Sequence, residues 1–170
     1  MKKTLILLIT STILFSCKDE NTLKDFDNCC KKSYLNDSVG NSFVKVANIF
    51  TPNNDGRNDK FIIFHNNLKS VKSFKVFDYK NTLIYSKDSL NSPDFTWNFY
   101  VNSNTRYLGH FYYEFQATSN NNQTKIIKGE ACSTICENKY FVPLMPIFPS
   151  QFDGVTFNIS LPSGELNGCQ

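Results

Sequence analysis

Oxygen-bearing side chains cluster in one short, turn-like stretch, residues 51–59. Asn53, Asp55 and Asp59 carry the amide and carboxylate oxygens that Ca²⁺ prefers as ligands. A glycine at position 56 frees the backbone between them to bend. A complete calcium loop also needs a bidentate Glu at its twelfth position, where this sequence has a phenylalanine. The stretch therefore predicts either a calcium site or a turn whose Asp and Asn side chains cap nearby backbone N–H groups.

The other polar residues show no spacing that is typical of catalysis. His65 and His110 stand in no metal-ligand or nucleophile pattern. Asp94 and Glu114 offer two carboxylates, but nothing in the sequence selects them over the other acidic residues. No G-x-S-x-G, P-loop or dinucleotide fingerprint occurs. We therefore expect no enzymatic activity, no catalytic residue, no small-molecule substrate and no cofactor beyond the calcium alternative.

The first cysteine, Cys17, stands where a secretion signal should end. Residues 4–15 form a nearly uncharged run behind a basic start, and this run is shorter than the roughly 20 residues of a membrane-spanning helix. The segment Leu14-Phe15-Ser16-Cys17 resembles the bacterial lipobox, after which a signal peptide is removed and the cysteine is lipidated. We expect residues 1–16 to be this signal and Cys17 to anchor the chain in the membrane. The alternative is a secreted protein whose cysteine stands there by chance.

Three charged residues follow the lipidation site: Lys18, Asp19 and Glu20. They resemble the export signal that follows the lipid cysteine in surface lipoproteins of gliding, type IX-secreting bacteria. The resemblance implies an outer-membrane protein that faces the exterior. The alternative is an inward-facing protein in which the charges only solvate a tether.

The mature chain would carry almost no net charge. Removal of Lys2 and Lys3 with the signal leaves 16 of the 18 basic residues against 15 acidic ones, and the formal charge falls from +3 to +1. No basic stripe is present to hold a phosphate backbone. We therefore expect no nucleic-acid partner.

Five cysteines remain once Cys17 is lipidated: Cys29, Cys30, Cys132, Cys136 and Cys169. Disulfides persist in an exported chain, but an odd number of cysteines leaves one thiol unpaired. Neighbouring cysteines are poor partners for each other, so we expect at least one of the first two to link the N-terminal arm to the region of Cys132 and Cys136. A zinc site built from the first four is the alternative, although adjacent ligands suit a tetrahedron poorly.

Short runs of alternating apolar and polar residues fill the middle of the chain. The clearest run, residues 71–77, leads through a short turn to a partner at 83–85. No window after the signal shows the 3.6-residue period of a helix. Further strand-like runs cover residues 43–50, 61–64, 95–99, 111–115 and 124–135. The sequence predicts an all-β sandwich at residues 43–136, between a lipidated tether at 17–42 and a tail at 137–170.

The segment NIFTPNNDGRNDKF, residues 48–61, resembles the opening motif of the gliding motility-associated C-terminal domain, a family of modules that mark cargo for type IX secretion. Later features follow in the family's order: a strand, turn and strand at residues 74–85, then Trp97, the run LGHFYY at 108–113, and a Lys-Gly pair at 128–129. The resemblance covers residues 44–136 and implies an immunoglobulin-like antiparallel β-sandwich.

Three features depart from the family pattern. The central turn usually reads Asn-Arg-Trp-Gly, whereas here it reads Asp78-Tyr79-Lys80-Asn81, and Phe99 replaces the glycine expected shortly after the tryptophan. The family domain also ends its protein, whereas here a tail follows. Because an anchored chain has no need of a second export address, the resemblance implies a sandwich that is reused as a module.

The tail begins with a strongly apolar stretch, residues 140–149, that has a proline at every third position from 143. Proline at this spacing keeps the stretch out of a central strand or a helix, so we expect it to be extended. It either packs across a sheet face or edge of the sandwich, or it docks to an outer-membrane partner. The docking residues would be Tyr140, Phe141, Leu144, Met145, Ile147 and Phe148.

Two classes of function fit these observations. The first is a non-enzymatic surface lipoprotein that serves as an accessory or structural subunit of an outer-membrane machine for type IX secretion, assembly or gliding. The second is a free-standing cell-surface module that binds a glycan or an adhesion target. Its sugar platform would be built from Trp97, Tyr100, Tyr107, Tyr112 and Tyr113, which at strand spacing are also typical of core and sheet-face packing.

Overall fold

A computed structural model describes residues 33–91 and 95–134, and all the regular structure of this part of the chain is β-strand. The strands are β1 (Leu35–Val39), β2 (Ser42–Val46), β3 (Ile49–Phe50), β4 (Phe61–His65), β5 (Leu68–Asp78), β6 (Leu83–Leu90), β7 (Thr96–Trp97), β8 (Gly109–Ser119) and β9 (Thr124–Ser133).

The strands form two sheets. One has four strands in the order β1-β2-β4-β7, and the other has five in the order β3-β9-β8-β5-β6. Neighbouring strands are antiparallel, except that β3 runs parallel to β9. Apolar side chains of both sheets meet in one buried cluster. The predicted all-β sandwich is therefore confirmed.

Alternation of side chains sets the two faces of each long strand. In β8, Phe111, Tyr113 and Phe115 are buried, while the residues between them are partly exposed. The predicted hairpin at residues 71–85 is confirmed as β5 and β6, with Val76 opposite Tyr85 and Phe77 opposite Leu83. Aromatic rings fill the space between the sheets.

Phe61 stands at the centre of this aromatic core. Its ring centroid lies 5.3 Å from that of Phe74, 5.4 Å from that of Phe50 and 4.9 Å from that of Tyr113. These rings come from strands of both sheets, so the aromatic contacts hold the two layers together. Truncation of one such buried phenylalanine to alanine costs about 3–5 kcal/mol.

The run at residues 43–50 is not one continuous strand. It divides into β2 in the four-stranded sheet and β3 in the five-stranded sheet, with buried Ala47 and Asn48 between them. The run looked uniform in sequence because both strands are buried, whereas the change of sheet depends on tertiary pairing. Ile49 lies beside Cys132, and the carbonyl of Asn48 accepts the N–H of Cys132 at 2.8 Å. The start of the domain is thereby joined to its last strand.

The sheet structure also begins earlier than residue 43, because β1 lies within the stretch predicted as a tether. Of its five residues only Val39 is buried, so its sequence lacks the apolar alternation that identifies a strand. The strand forms because it pairs with β2 through the tight turn at Gly40, whose φ of +59° suits glycine. Lys125 also holds Asp37 at 2.6 Å, which ties β1 to β9.

Candidate functional site

The loop at residues 51–59, which connects β3 to β4, is closed by its own side chains. Both carboxylate oxygens of Asp59 accept backbone N–H groups, from Asn54 at 2.5 Å and from Gly56 at 2.7 Å. Asp55 accepts the N–H of Arg57 at 2.8 Å, and the Asn53 side chain accepts the N–H of Asp55 at 3.1 Å. The three residues predicted to bind calcium therefore lie together, each bonded to the loop backbone.

These contacts have the geometry of Asx turns, the alternative that the sequence left open. In residues 33–91 and 95–134, no group of three or more His, Cys, Asp or Glu side chains has an arrangement suited to a metal ion. A calcium ion at Asn53, Asp55 and Asp59 would have to share oxygens that already accept backbone N–H groups. The calcium site stays a prediction.

Arg106 holds this loop from a distant part of the chain. Its guanidinium donates to the carbonyl of Pro52 at 2.5 Å and to the side-chain oxygen of Asn54 at 2.7 Å. The guanidinium carbon also lies 5.0 Å from the ring centroid of Tyr100, with which Arg106 forms an isolated β-bridge. Sequence analysis missed Arg106, because an arginine in an Asn-rich loop carries no spacing signal.

Phe99 lies at the start of the loop that carries Arg106. It has a φ of +65°, in the left-handed region that favours glycine, and this is the position where the family pattern has a glycine. Its carbonyl accepts the N–H of Tyr107 at 2.9 Å and so closes the loop that presents the arginine. Phe99 is fully buried, with its ring centroid 4.9 Å from that of Trp97.

Two residues of the predicted sugar platform are part of the core. Trp97 and Tyr113 are each only 2 % exposed, and the Trp97 indole donates to the carbonyl of Tyr100 at 3.1 Å. Burial raises the pKa of Tyr113 well above its ordinary value, and the charge of Glu130 adds to the effect. The prediction of a surface platform made of all five aromatic residues is therefore wrong, because a buried ring cannot stack on a sugar.

The hairpin turn between β5 and β6 keeps a defined shape despite its departure from the family sequence. The Asp78 carboxylate accepts the N–H groups of Lys80 and Thr82, each at 2.8 Å. Asn81 has a φ of +62° and so takes the conformation that suits the family glycine. Tyr79 is 48 % exposed, and the Lys80 ammonium lies 5.2 Å from its ring centroid. The turn presents an aromatic ring and a cation at its tip, in the reverse order to the family's arginine and tryptophan.

The outward face of the five-stranded sheet carries two adjacent rows of side chains. We call Lys75, Glu114 and Lys128 the charged row, since they pair across β5, β8 and β9. Glu114 binds Lys75 at 3.0 Å and Lys128 at 3.2 Å, and its pKa is lowered chiefly by the hydrogen bond from Lys75. We call Leu83, Phe77 and Tyr112 the apolar row, which crosses β6, β5 and β8 two residues further on.

The two histidines have structural contacts. The Nδ1 atom of His65 accepts the N–H of Leu68 at 3.3 Å. Nε2 of His110 lies 3.0 Å from a carboxylate oxygen of Glu130, and the His110 ring packs against Tyr112 with centroids 4.7 Å apart. Of the carboxylates considered above, Glu114 is held by two lysines, and Asp94 lies outside the described residues.

Cys132 is 1 % exposed and is disulfide-bonded. The other cysteines, Cys17, Cys29, Cys30, Cys136 and Cys169, lie outside the described residues, so the predicted link from the N-terminal arm stays a prediction. The lipidation site, the export signal Lys18, Asp19 and Glu20, and the tail also lie outside them. In the described part of the chain, no helix has the length and apolar character needed to cross a membrane.

Comparison with known proteins identifies one family. Residues 44–129 match the CHU_C type IX secretion signal domain, and this match spans just over half of the chain. No curated protein and no solved structure matches the chain. The matched range begins in β2 and ends in β9, and it contains the loop at residues 51–59, the hairpin turn and Phe99. The family is one of secretion signals rather than of catalysts, and it associates the chain with type IX secretion and the cell envelope. The chain therefore belongs to the CHU_C type IX secretion signal domain family.

Proposed function

We propose that this chain is a surface-exposed outer-membrane lipoprotein that serves as an accessory subunit of a type IX secretion, assembly or gliding machine. The observation that carries the proposal is the hairpin turn, which the Asp78 carboxylate closes and whose tip exposes Tyr79 and Lys80. Tyrosine is enriched in protein-binding surfaces and among the residues that contribute most to binding. The lipobox at Cys17 supports anchoring to the membrane, and family membership supports the link to type IX secretion.

Copurification tests the subunit hypothesis. The chain is tagged at its own locus, extracted in mild detergent and analysed for proteins recovered in a fixed ratio. We expect an outer-membrane component of the machine to be recovered with the wild-type chain and to be lost with a Tyr79→Ser, Lys80→Ser double variant. An Ile126→Ser variant is the matched control, because Ile126 is 62 % exposed and lies at the opposite end of the sheet from the turn.

The same preparation separates the alternative functions. Recovery of the chain alone would overturn the subunit hypothesis and leave the binding module, which should bind a glycan or an adhesion target as a purified protein. Recovery of one partner by all three forms equally would keep a subunit but remove the turn from the interface. Because Trp97 and Tyr113 are buried, a sugar-binding surface would have only three of the five predicted aromatic residues.

The membrane anchor needs its own test. Growth with a clickable fatty acid should label the wild-type chain and not a Cys17→Ser variant. Protease added to intact cells should remove the labelled chain if it faces the exterior. Replacement of Lys18, Asp19 and Glu20 by alanine should then protect the chain from the protease without loss of label. A chain that carries no label, or that is protected in its wild-type form, would contradict the corresponding part of the proposal.

A further inference from the structure

The five-stranded sheet ends in a long edge strand, β6. In the described part of the chain, β6 pairs on one side only, with β5. The register sets Tyr85 opposite Val76 and Ser89 opposite Lys72. In an antiparallel pair, about half of the backbone N–H and C=O groups of each strand point away from the partner strand. β6 therefore presents a row of backbone donors and acceptors at the side of the sheet.

The other edge strands of the described sandwich are shorter. β3 and β7 have two residues each, and β1 has five, of which Asp37 is held by Lys125 of β9. β6 has eight residues, and the four consecutive residues 86–89 are all exposed. An exposed edge strand of this length is a template on which a further strand can form. Of the four edges, β6 is thus the one best suited to bind an extended chain.

The charges of the exposed stretch oppose pairing of β6 with a second copy of the chain. Two antiparallel copies of one strand that are related by a two-fold axis place one residue directly opposite its own copy. The two registers that overlap residues 86–89 most fully are centred on Lys87 and on Asp88, so they set two lysines or two aspartates opposite each other. Like charges at directly opposite positions destabilise a sheet. A strand from another protein meets no such restriction.

We propose that an extended segment of another protein adds to β6 as a sixth strand of this sheet. The added strand is antiparallel to β6, as β5 is, because this arrangement is the more stable one per residue. Its backbone bonds to the outer side of β6, and its side chains supply the specificity. Lys87 selects an acidic residue and Asp88 a basic one, and in an antiparallel strand the basic residue directly precedes the acidic one. This inference does not depend on the proposed function.

A fluorescent peptide of this chemistry, Thr-Val-Thr-Lys-Glu-Thr-Val-Thr, tests the inference on the full-length chain in detergent. We expect saturable binding by fluorescence anisotropy, and slower amide hydrogen exchange at residues 85–89 when the peptide is bound. A Lys87→Glu variant should bind this peptide about fivefold more weakly than the wild type, because two acidic residues then stand opposite each other. The variant should instead prefer a peptide that has Lys-Lys in place of Lys-Glu.

Lys60→Glu is the matched control for the change in net charge. Lys60 is exposed and directly precedes β4, which belongs to the other sheet. Its variant should bind the first peptide within about twofold of the wild type. The near-ultraviolet circular dichroism spectrum checks that each variant keeps its packed aromatic core.

Three results would overturn the inference. The first is the absence of saturable binding up to a peptide concentration of about 1 mM. The second is equal weakening by Lys87→Glu and Lys60→Glu, which would show that the peptide responds to net charge alone. The third is slower hydrogen exchange at another edge or face while the amides of residues 85–89 exchange as they do in the free protein. The exchange measurement locates the peptide directly, so it decides the question even if both variants bind alike.

Discussion

Phe99 has a backbone conformation that glycine normally adopts and a side chain that fills the core, so its replacement separates two opposing contributions to stability. Its φ is +65°, and its ring centroid lies 5.3 Å from that of Phe50, 4.9 Å from that of Trp97 and 5.9 Å from that of Phe111. We predict the effects of Phe99→Ala and Phe99→Gly on the free energy of unfolding. Both variants lose the buried ring, but only glycine also relieves the backbone.

The magnitudes follow from these contacts. Loss of a buried phenylalanine ring costs about 3–5 kcal/mol. A non-glycine residue in the left-handed region costs roughly 1–2 kcal/mol, whereas the greater freedom of glycine in the unfolded chain costs about 0.5–1 kcal/mol relative to alanine. Phe99→Gly should therefore be less stable than the wild type by about 2–4 kcal/mol, yet more stable than Phe99→Ala by up to about 1.5 kcal/mol.

Urea denaturation of the mature chain measures this order, with far-ultraviolet circular dichroism and the fluorescence of Trp97, the single tryptophan, as probes. The same pair of substitutions at Phe115 is the matched control, since Phe115 is also buried but lies within β8 and is not among the residues with positive φ. At that position alanine should be the more stable variant. If alanine is also the more stable at Phe99, the strain argument is refuted. If Phe99→Gly is as stable as the wild type, the ring contributes no more than the relief of the backbone offsets.

Three further predictions concern single side chains. The Tyr113 hydroxyl is buried and has no hydrogen-bond partner in the described part of the chain. Tyr113→Phe should therefore raise the free energy of unfolding, measured with urea, by about 1 kcal/mol. A decrease would show that the hydroxyl has a partner. Ser73 is exposed at a bulge in β5 and has a φ of +51°. Ser73→Gly should therefore stabilise the protein by up to about 1 kcal/mol in the same assay. Ser86→Gly in β6 is the control. The pKa of Glu114 is lowered by its lysine partners, so its contribution to stability is present above the ordinary value of 4.5 and is lost as the pH falls through the lowered pKa. The melting temperature should therefore fall less steeply under acid conditions for Glu114→Gln than for the wild type, and equal slopes would contradict this.

The sequence predicted those parts of the fold that local pattern determines. The hairpin of β5 and β6 has an alternating first strand and a short polar turn, so its two strands could be predicted, although the second extends beyond the predicted residues 83–85 to Leu90. The break between β2 and β3 could not be predicted, since Ala47 and Asn48 are buried like their neighbours. Only the pairing of β3 with β9 separates the two strands. The strand β1 was missed for the opposite reason, because it is held by backbone pairing and by Lys125 more than by apolar burial.

The candidate site likewise contains residues that could be identified from the sequence and one that could not. Asp55 and Asp59 were found from their type and spacing, and the structure shows that they bond the loop backbone, as an Asx turn requires. Arg106 could not be found, since it reaches Pro52 across 54 positions of sequence through a loop whose closure depends on Phe99. A single sequence carries no signal for a contact of that separation, because the contact exists only once the two sheets have formed.

At two positions where the family pattern has glycine, this chain has another residue in the left-handed region. Asn81 adopts the left-handed conformation where the family has the glycine of the turn, and Phe99 adopts it where the family has the glycine after the tryptophan. At the turn, asparagine adopts this conformation at modest cost, and Asp78 supplies the hydrogen bonds that close the hairpin. At Phe99 the buried ring packs in the core, and this packing stabilises a backbone conformation that is unfavourable for a residue other than glycine. Because Tyr79 and Lys80 stand where the family pattern has arginine and tryptophan, a partner of the kind proposed above would contact a different pair of side chains at this turn.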